Sequence, residues 1–513
     1  MENKSNYTIV RIKILILLIF GFAYSMLAQK LYDYNWLFGY GTGIPDSLHP
    51  FGGIIMSFSN GQISFKNQAR DFEFNYQTNS FSDKDGNLLY MSNGCSMANS
   101  SAKIIANGDS LGFGKIWGVN CPKYQPAVQA GIFINFLQKN KDSLIFLHSI
   151  LDTIGNGMEI YRNAIRATEI DISSNSVFSK NKIILYDTLY GGGFTAIPNK
   201  DYQSWWIITP QRNNNKFWVL LYNSQGVQKS IEIEIGLNHE SNGSGGAQGL
   251  FSPNGNNYAF YSSLNGLQVF NFDRNTGLLS KFRYYPLIYQ VNAISGCSFS
   301  PDSRFVYVSN PTEVLQIDLL ESDSTKSVDT IGVYDNFLDP YPTTYMQMAL
   351  GPDCRIYITT GGGNRYLHVI MQPNKKGKEC QLINRGLKLP TRNSFATPNF
   401  PHYRVDDPYP CDSTISIPLN TDVENEYKFK EGELIIYPNP ASTVLYVHDI
   451  KSLIASKVLL RLIDLNGNVL FSQEYNSLTQ EIKIPIHNLA QGMYFIQIND
   501  YKRNYWLDKF IKI

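Results

Sequence analysis

The sequence predicts an all-β protein: a six- or seven-bladed β-propeller followed by a small immunoglobulin-like β-sandwich. Three turns that contain Pro253, Pro301 and Pro352 predict the propeller, because a run of β-branched and aromatic residues follows each of them. The turns recur at intervals of about 50 residues, the period of a propeller with several short strands in each repeat. A change to short alternating strands late in the chain predicts the sandwich.

The turn-and-strand unit also occurs earlier, at Asp85-Gly86, and weaker copies occur at Lys141 to Ser143 and at Pro198 to Asp201. Most later units are followed by a second strand and a polar turn, which together make half of a four-stranded blade. We expect the strands before residue 80 and the segment after residue 378 to complete one more blade together. Such a shared blade closes the ring and removes an exposed sheet edge.

Composition excludes some partners. The 513 residues include 44 Lys and Arg against 43 Asp and Glu, for a formal net charge of +1. A chain this close to neutrality carries no basic field for nucleic acid or for an acidic membrane surface. The low charged fraction of 17% is more typical of a β-rich extracellular protein than of a helical cytosolic one.

The first 28 residues predict a signal peptide. Lys4, Arg11 and Lys13 precede an apolar run at residues 14–22, which is too short to span a bilayer. We expect export by a Sec-type route and cleavage of the signal peptide between Ala28 and Gln29. We also expect no transmembrane span in the mature chain.

The six cysteines predict disulfides, because an even count in an exported chain is typical of oxidised pairs. Cys95 and Cys121 bracket a polar excursion and are the favoured pair, with Cys354 and Cys380 second. The sequence does not determine the connectivity.

The propeller is expected to span residues 29–405, a polar linker residues 406–432, and a compact end domain residues 433–513. The linker prediction depends on a Pro-bearing and then strongly polar composition. Within the end domain, five segments alternate as strands do, and Asn466-Gly467 predicts a hairpin turn.

The end domain resembles the type A C-terminal sorting domain of the type IX secretion system. One departure is that residues 500–504 lack the glycine usual before the last strand. The resemblance implies recognition by the type IX machinery, delivery to the outer-membrane surface or the medium, and usually removal of the domain. It rests on these residues, in this order: Tyr437, Pro438, Asn439, Pro440, Asp464, Gly467, Gly492, Tyr494, Lys509 and Lys512.

The repeats at residues 251–262 and 299–309 resemble the Ser-Pro-Asp-Gly type of WD-repeat-like propeller. The run from Cys354 to Pro401 is similar to secreted propellers of Bacteroidetes, and the combined resemblance covers roughly residues 30–405.

Motifs for catalysis, metal binding or cofactor binding are not found in the sequence, so we expect none of these sites. His239-Glu240 begins like a zinc-protease motif, but residue 243 is glycine where the second ligand belongs. No nucleophile elbow or phosphate-binding loop occurs. His148, His368 and His402 are interpreted as core or rim residues, although a cluster across blades stays open.

Two hypotheses of different class remain. The favoured one is a non-enzymatic binding propeller for an extracellular protein or glycan. The alternative is an extracellular hydrolase or lyase with its active site at the mouth of the propeller channel. Fold alone does not decide between them. Three or more convergent carboxylate, His or Arg side chains at one mouth would favour the enzyme.

Overall fold

A computed structural model describes residues 31–39, 41–46, 49–138, 141–154, 159–240, 246–289, 293–323, 326–407, 411–420, 428–429, 434–449, 458–464, 469–475, 482–499 and 504–513. The chain forms two compact units that divide between Leu419 and Asn420. The predicted signal peptide and its cleavage point at Ala28 and Gln29 lie outside the described residues. In the described part of the chain, no helix is long and apolar enough to cross a membrane.

Seven antiparallel sheets follow one another along the described part of the first unit, and we number them as blades 1 to 7 in chain order. Blades 1 and 2 have three strands each, and the other five blades have four. Blade 1 contains β1 (Asn35–Phe38), β2 (Gly53–Ser57) and β3 (Ser64–Gln68), and blade 2 contains β4 (Asn79–Ser82), β5 (Leu88–Ser92) and β6 (Met97–Asn99). A one-turn helix, α1 (Trp117–Asn120), lies in the excursion that follows blade 2.

The four-stranded blades fill the rest of this unit. Blade 3 contains β7 (Gly131–Gln138), β8 (Lys141–Ile154), β9 (Glu159–Asp171) and β10 (Ser176–Leu189), and blade 4 contains β11 (Thr195–Pro198), β12 (Trp205–Pro210), β13 (Lys216–Asn223) and β14 (Gly226–Glu234). Blade 5 contains β15 (Gln248–Phe251), β16 (Asn257–Ser262), β17 (Gly266–Asp273) and β18 (Leu278–Tyr285). Blade 6 contains β19 (Gly296–Phe299), β20 (Phe305–Asn310), β21 (Glu313–Asp318) and β22 (Val328–Val333). Blade 7 contains β23 (Met348–Leu350), β24 (Ile356–Thr359), β25 (Asn364–Ile370) and β26 (Leu382–Asn393), with a 3-10 turn at Gly377–Cys380.

Each blade packs on both of its neighbours, so the seven blades form a closed ring. Strands such as β16 and β20 are buried along almost their whole length, because each blade is covered on both faces. This is why they are apolar without strict alternation. The seam between blades 7 and 1 is packed like the others, with the rings of Trp36 and Tyr357 centred 5.4 Å apart. The remaining seams join Leu37 to Met91, Phe81 to Phe133, Phe136 to Tyr222, Phe217 to Tyr258, Val269 to Val308, and Tyr307 to Ile358.

The three repeat prolines occupy equivalent turns, as the sequence predicts. Each follows the first strand of its blade and precedes the second. In the turn of blade 6, Ser303 adopts φ 65°, and the Asp302 carboxylate accepts from the Ser300 hydroxyl at 2.5 Å and from the Arg304 N–H at 3.1 Å. Short polar side chains that bond the local backbone are what this turn needs.

The ring closes differently from the expected shared blade. Residues 382–393 do not form a blade with the first strands, because β26 pairs with β25 and completes blade 7. Only the end of β26 reaches blade 1, where Arg392 forms a parallel bridge with Phe51. The chain then returns to the middle of the ring as residues 394–406, which we call the central segment. Its Arg404 pairs with Asp33, and Gly39 N–H donates to Asn393 just before the segment. The central segment therefore begins near the end of β1 and finishes near its start, and its Pro398 forms a parallel bridge with Thr78.

Residues 411–417, which we call the clamp, hold blade 1 to blade 7. Ser416 bonds to Gly61 and Ile63 of blade 1 through its backbone, and the Ile415 carbonyl accepts from Arg355 of blade 7 at 2.9 Å. Ile415 is buried with the seam residues. The predicted linker therefore begins too early, because its residues 411–417 are part of the ring.

The disulfides confirm one expected pair and correct the other. Cys95 and Cys121 are joined, with their Cα atoms 5.6 Å apart. Cys354 pairs with Cys411 of the clamp and not with Cys380, because the clamp passes the blade 7 turn that carries Cys354. Cys380 is a buried free thiol packed with Tyr307, and Cys297 is also free and buried.

The second unit is a two-sheet β-sandwich, as the alternation predicts. A five-stranded sheet has the order β27-β34-β33-β30-β31, and a three-stranded sheet has the order β28-β29-β32. The buried faces share one core that includes Leu445, Leu460 and Phe510. The strands are β27 (Lys428–Phe429), β28 (Leu434–Tyr437), β29 (Val444–Asp449), β30 (Val458–Ile463), β31 (Val469–Tyr475), β32 (Ile482–Pro485), β33 (Gly492–Asn499) and β34 (Asn504–Lys512).

Candidate functional site at the propeller centre

The central segment lies inside the ring, because it bonds to blades on opposite sides of the channel. On one side, the Tyr403 hydroxyl donates to the Phe133 carbonyl of blade 3 at 2.8 Å, and His402 Nε2 lies 2.8 Å from the Phe251 carbonyl of blade 5. On the other side, the Phe395 carbonyl accepts from the Thr359 hydroxyl of blade 7. A segment with these partners fills the position where an open propeller has its channel.

Amide side chains close the channel around the start of the inner strands. Asn399 donates to the carbonyl oxygens of Gly131 and Phe194, at 3.0 and 3.2 Å. Gln129 donates to Asn399 and to the Gly249 carbonyl, and its own oxygen accepts from the N–H groups of Gly193 and Gly249. Inner strands have no further strand to pair with, so these amides satisfy backbone groups that would otherwise need water.

Gln248 does the same on the far side of the ring. Its oxygen accepts from the N–H groups of Cys297 and Met348 at 3.0 and 3.2 Å, and its nitrogen donates to the Met348 carbonyl at 2.6 Å. One side chain thus links blades 5, 6 and 7. Its donor and acceptor groups are already engaged with backbone, so it has a structural role.

Charged groups at the end where the central segment leaves the channel are paired with one another. Arg404 donates to both carboxylate oxygens of Asp33 at 2.6 and 2.7 Å. Asp406 accepts from Arg274 at 2.6 Å, from the Tyr202 hydroxyl at 2.7 Å and from Lys200 at 3.3 Å. These partners hold the pKa of Asp406 below its usual value, although burial opposes them.

A cavity of about 60 Å³ remains beside the central segment. It has room for a few water molecules and not for a sugar ring. Its lining brings together Asp33, His402 and Arg404, with Gln129 and Gln248. Enclosure lowers the pKa of His402 to about 4, so the imidazole is neutral near pH 7 and donates to the Phe251 carbonyl.

The histidines singled out by the sequence do not form one cluster. His148 lies 2.9 Å from the Thr168 hydroxyl within blade 3, and His368 bonds the Thr343 carbonyl and the Arg385 N–H at blade 7. His239 is buried between blades 4 and 5, against Phe217 and Phe260. Among the described residues, no group of three or more His, Cys, Asp or Glu side chains is placed to hold a metal ion.

The sorting-motif residues spread over both sheets of the sandwich. Tyr437 stacks on Tyr446, with ring centroids 5.6 Å apart, and Asp464 follows β30 directly. The Tyr494 hydroxyl donates to the Ala490 carbonyl at 2.9 Å. Gly467 and the rest of its predicted hairpin turn lie outside the described residues. The remaining members, Pro438, Asn439 and Pro440 beside β34, Gly492 at the start of β33, and Lys509 and Lys512 within β34, are all near the last strand.

The residues that fill the channel could not be found from the sequence. Gln129, Gln248 and the pair of Asp33 and Arg404 show no local signal, since each acts on residues far away in the chain. Asn399 lies in the run from Cys354 to Pro401 that resembles secreted propellers, but its amide contacts depend on two other blades, 3 and 4.

The end domain matches a known family model, and much of the chain is similar to several solved structures. Residues 435–513 match the family model described as "Secretion system C-terminal sorting domain". A search of curated protein sequences finds no match. Solved structures similar to the chain include the Dos1 propeller (12% identity, 63% of this chain and 91% of that one, TM-score 0.34) and the periplasmic gluconolactonase PpgL of Pseudomonas aeruginosa (12%, 71% and 98%, 0.36). Apo AztD of Citrobacter koseri is similar at 9% identity, over 71% and 97% of the two chains, with a TM-score of 0.35.

Likeness at these TM-scores carries no argument. This chain is an all-β propeller protein. Its residues 435–513 are a type IX secretion C-terminal sorting domain, which directs the protein to the cell surface or the extracellular space.

Proposed function

We propose that the propeller is a non-enzymatic binding module that works outside the cell, on an extracellular protein or glycan. The single observation that carries the proposal is the filled channel. In propeller enzymes of the hypothesised kind, substrate enters at a channel mouth, and here the protein's own residues 394–406 occupy that volume.

The chemistry of the channel supports the same proposal. The amides of Gln129, Gln248 and Asn399 are bonded to backbone, and the guanidinium of Arg404 is bonded to Asp33. Polar groups that are already hydrogen-bonded to other protein groups are not available to bind or activate a substrate. Ligand contacts are therefore assigned to the outer surface of the ring rather than to its centre.

One observation favours the alternative, a hydrolase or lyase. The lining of the small cavity includes a carboxylate, an imidazole and a guanidinium, at Asp33, His402 and Arg404. An enzyme using this group would need the central segment to move away, so that a substrate larger than the present cavity of about 60 Å³ could enter.

The test measures binding and turnover on the same protein. The full chain is incubated with soluble neutral and acidic polysaccharides and with casein. Retention is followed by affinity electrophoresis, and product by new reducing ends, unsaturated uronates or new amino groups. The proposal predicts retention by at least one class of probe without product.

His402→Gln separates the two functions. Glutamine keeps a nitrogen donor for the Phe251 carbonyl but cannot take up or release a proton. A binding module keeps its affinity in this variant. Product formation by the native chain that disappears in His402→Gln contradicts the proposal and supports the enzyme. Absence of both retention and product contradicts it for these ligand classes.

A further inference from the structure

Asn439 binds the last strand of the sorting domain as if it were a neighbouring strand. Its side-chain nitrogen donates to the Lys509 carbonyl at 3.1 Å, and its oxygen accepts from the Ile511 N–H at 3.0 Å. A side-chain amide offers one donor and one acceptor in the arrangement of a peptide group. Asn439 therefore completes hydrogen bonds on the edge of β34 that faces away from β33.

The backbone of Ala441 continues the hydrogen bonding along the same edge of β34. Its N–H donates to the Ile511 carbonyl at 2.8 Å, and its carbonyl accepts from the Ile513 N–H at 2.9 Å. On the opposite edge, β33 pairs in regular register, with Met493 opposite Ile511. Both edges of residues 509–512 are thus held, one by β33 and the other by the loop that carries Asn439.

The held register decides which side chains face outward. Phe510 is fully buried and Lys512 is only 8% exposed, whereas Ile511 and Ile513 are 45% and 55% exposed and Lys509 is also exposed. A shift of one residue would exchange the two sets, because side chains alternate along a strand. Exposed isoleucines at the edge of a sandwich lower solubility unless a binding partner covers them.

We propose that Asn439 is a positioning residue for recognition of this domain. It fixes the last strand in the register that presents Lys509, Ile511 and Ile513 together to the type IX machinery. Lys512, which faces inward, supports the strand instead of contacting the machinery. The inference concerns the sorting domain and is independent of what the propeller binds.

The test uses the full chain in cells that carry the type IX machinery. Asn439→Ala removes both hydrogen bonds, and Asn439→Asp keeps an acceptor for Ile511 but sets a carboxylate oxygen against the Lys509 carbonyl. Val447→Ala is the matched control, because Val447 is fully buried in the other sheet and has no contact with β34 in the strand pairing. The secreted fraction and hydrogen-exchange protection of the Ile511 amide are measured for each.

We expect a severalfold loss of secretion and of Ile511 protection in Asn439→Ala, a smaller loss in Asn439→Asp, and near-normal values in Val447→Ala at a comparable fall in melting temperature. Normal secretion of Asn439→Ala overturns the proposal, as does an equal loss in the control. If Asn439→Ala does not fold, Ile511→Ser is used for the test instead, because Ile511 is partly exposed. It should fold and be secreted poorly, and normal secretion of this variant also overturns the proposal.

Discussion

Arg404 and Asp33 stand 371 residues apart in the chain, and both terminal nitrogens of the arginine bond the two carboxylate oxygens of the aspartate. The side chains are only 9% and 10% exposed. This ion pair fastens the end of the central segment to the chain just before β1. The ion pair therefore joins the first and last parts of the propeller chain.

Removing one member of this pair should destabilise the propeller strongly. Arg404→Met leaves the Asp33 carboxylate buried without its main partner, and we expect a loss of about 3 kcal/mol in the free energy of unfolding. The double variant Asp33→Leu with Arg404→Met should recover most of that loss, because no unpaired charge remains. Urea unfolding measures both, and equal stability of the single and double variants would refute the assignment.

Asn399 should matter far more than an asparagine on the surface. Asn399→Ala strands the carbonyls of Gly131 and Phe194 and a donor of Gln129, for an expected cost of about 2–4 kcal/mol. Asn256→Ala is the control, since Asn256 is exposed and its change should stay within about 0.5 kcal/mol. Comparable urea midpoints for the two variants would mean that the amides do not hold the channel.

The parts that sequence predicted well are those with local causes. The turns at Pro253, Pro301 and Pro352 depend on their own neighbours, so the repeat and the blades could be predicted. Sandwich strands follow from alternation for the same reason. The contacts of Asn399 and the partner of Cys354 depend on where distant segments return, and no short-range pattern contains that information. The sequence likewise does not show that the clamp belongs to the ring, because the clamp is a short polar stretch and its partners Gly61, Arg355 and Cys354 are far away in the chain.

Thiol mapping should find two disulfides and two protected thiols. Non-reducing peptide mapping is expected to link Cys95 to Cys121 and Cys354 to Cys411, while Cys297 and Cys380 react with alkylating reagents only after unfolding. Burial raises the pKa of Cys380 to about 11, which keeps its thiol protonated and unreactive near pH 7. A Cys354–Cys380 link would contradict the path of the clamp.

Replacing Cys354 and Cys411 together by alanine should cost about 2–4 kcal/mol and loosen the seam between blades 1 and 7. Hydrogen exchange should report faster exchange at β1 and β24 in this variant. The Cys95 and Cys121 double variant is the control, with changes confined to the excursion that it closes. Identical exchange patterns in the two variants would show that the clamp does not secure the ring.

Acid should weaken the propeller before its carboxylates titrate. Burial lowers the pKa of His148 to about 3 and of His239, His368 and His402 to about 4. Between about pH 6.5 and pH 4 these histidines bind protons in the unfolded chain but not in the folded chain, so the free energy of unfolding falls as pH falls. Each histidine contributes up to about 1.4 kcal/mol per pH unit in this window.

Urea midpoints across this window test the histidine account. His402→Gln should show a shallower loss than the native chain, because one of the four groups no longer titrates. Asn256→Ala is the control, because Asn256 is exposed and not titratable, and it should keep the native slope. A midpoint that does not change between about pH 6.5 and pH 4 would contradict the lowered histidine pKa values.

Export of the propeller to the outside of the cell should depend on the sorting domain. The direct measurement is to delete residues 433–513, which leaves the clamp intact, and to compare the propeller in medium, surface and periplasmic fractions with that of the full chain. We predict that the truncated chain accumulates in the periplasm as a protease-resistant folded ring, with almost none outside. Normal amounts at the surface or in the medium would contradict the account.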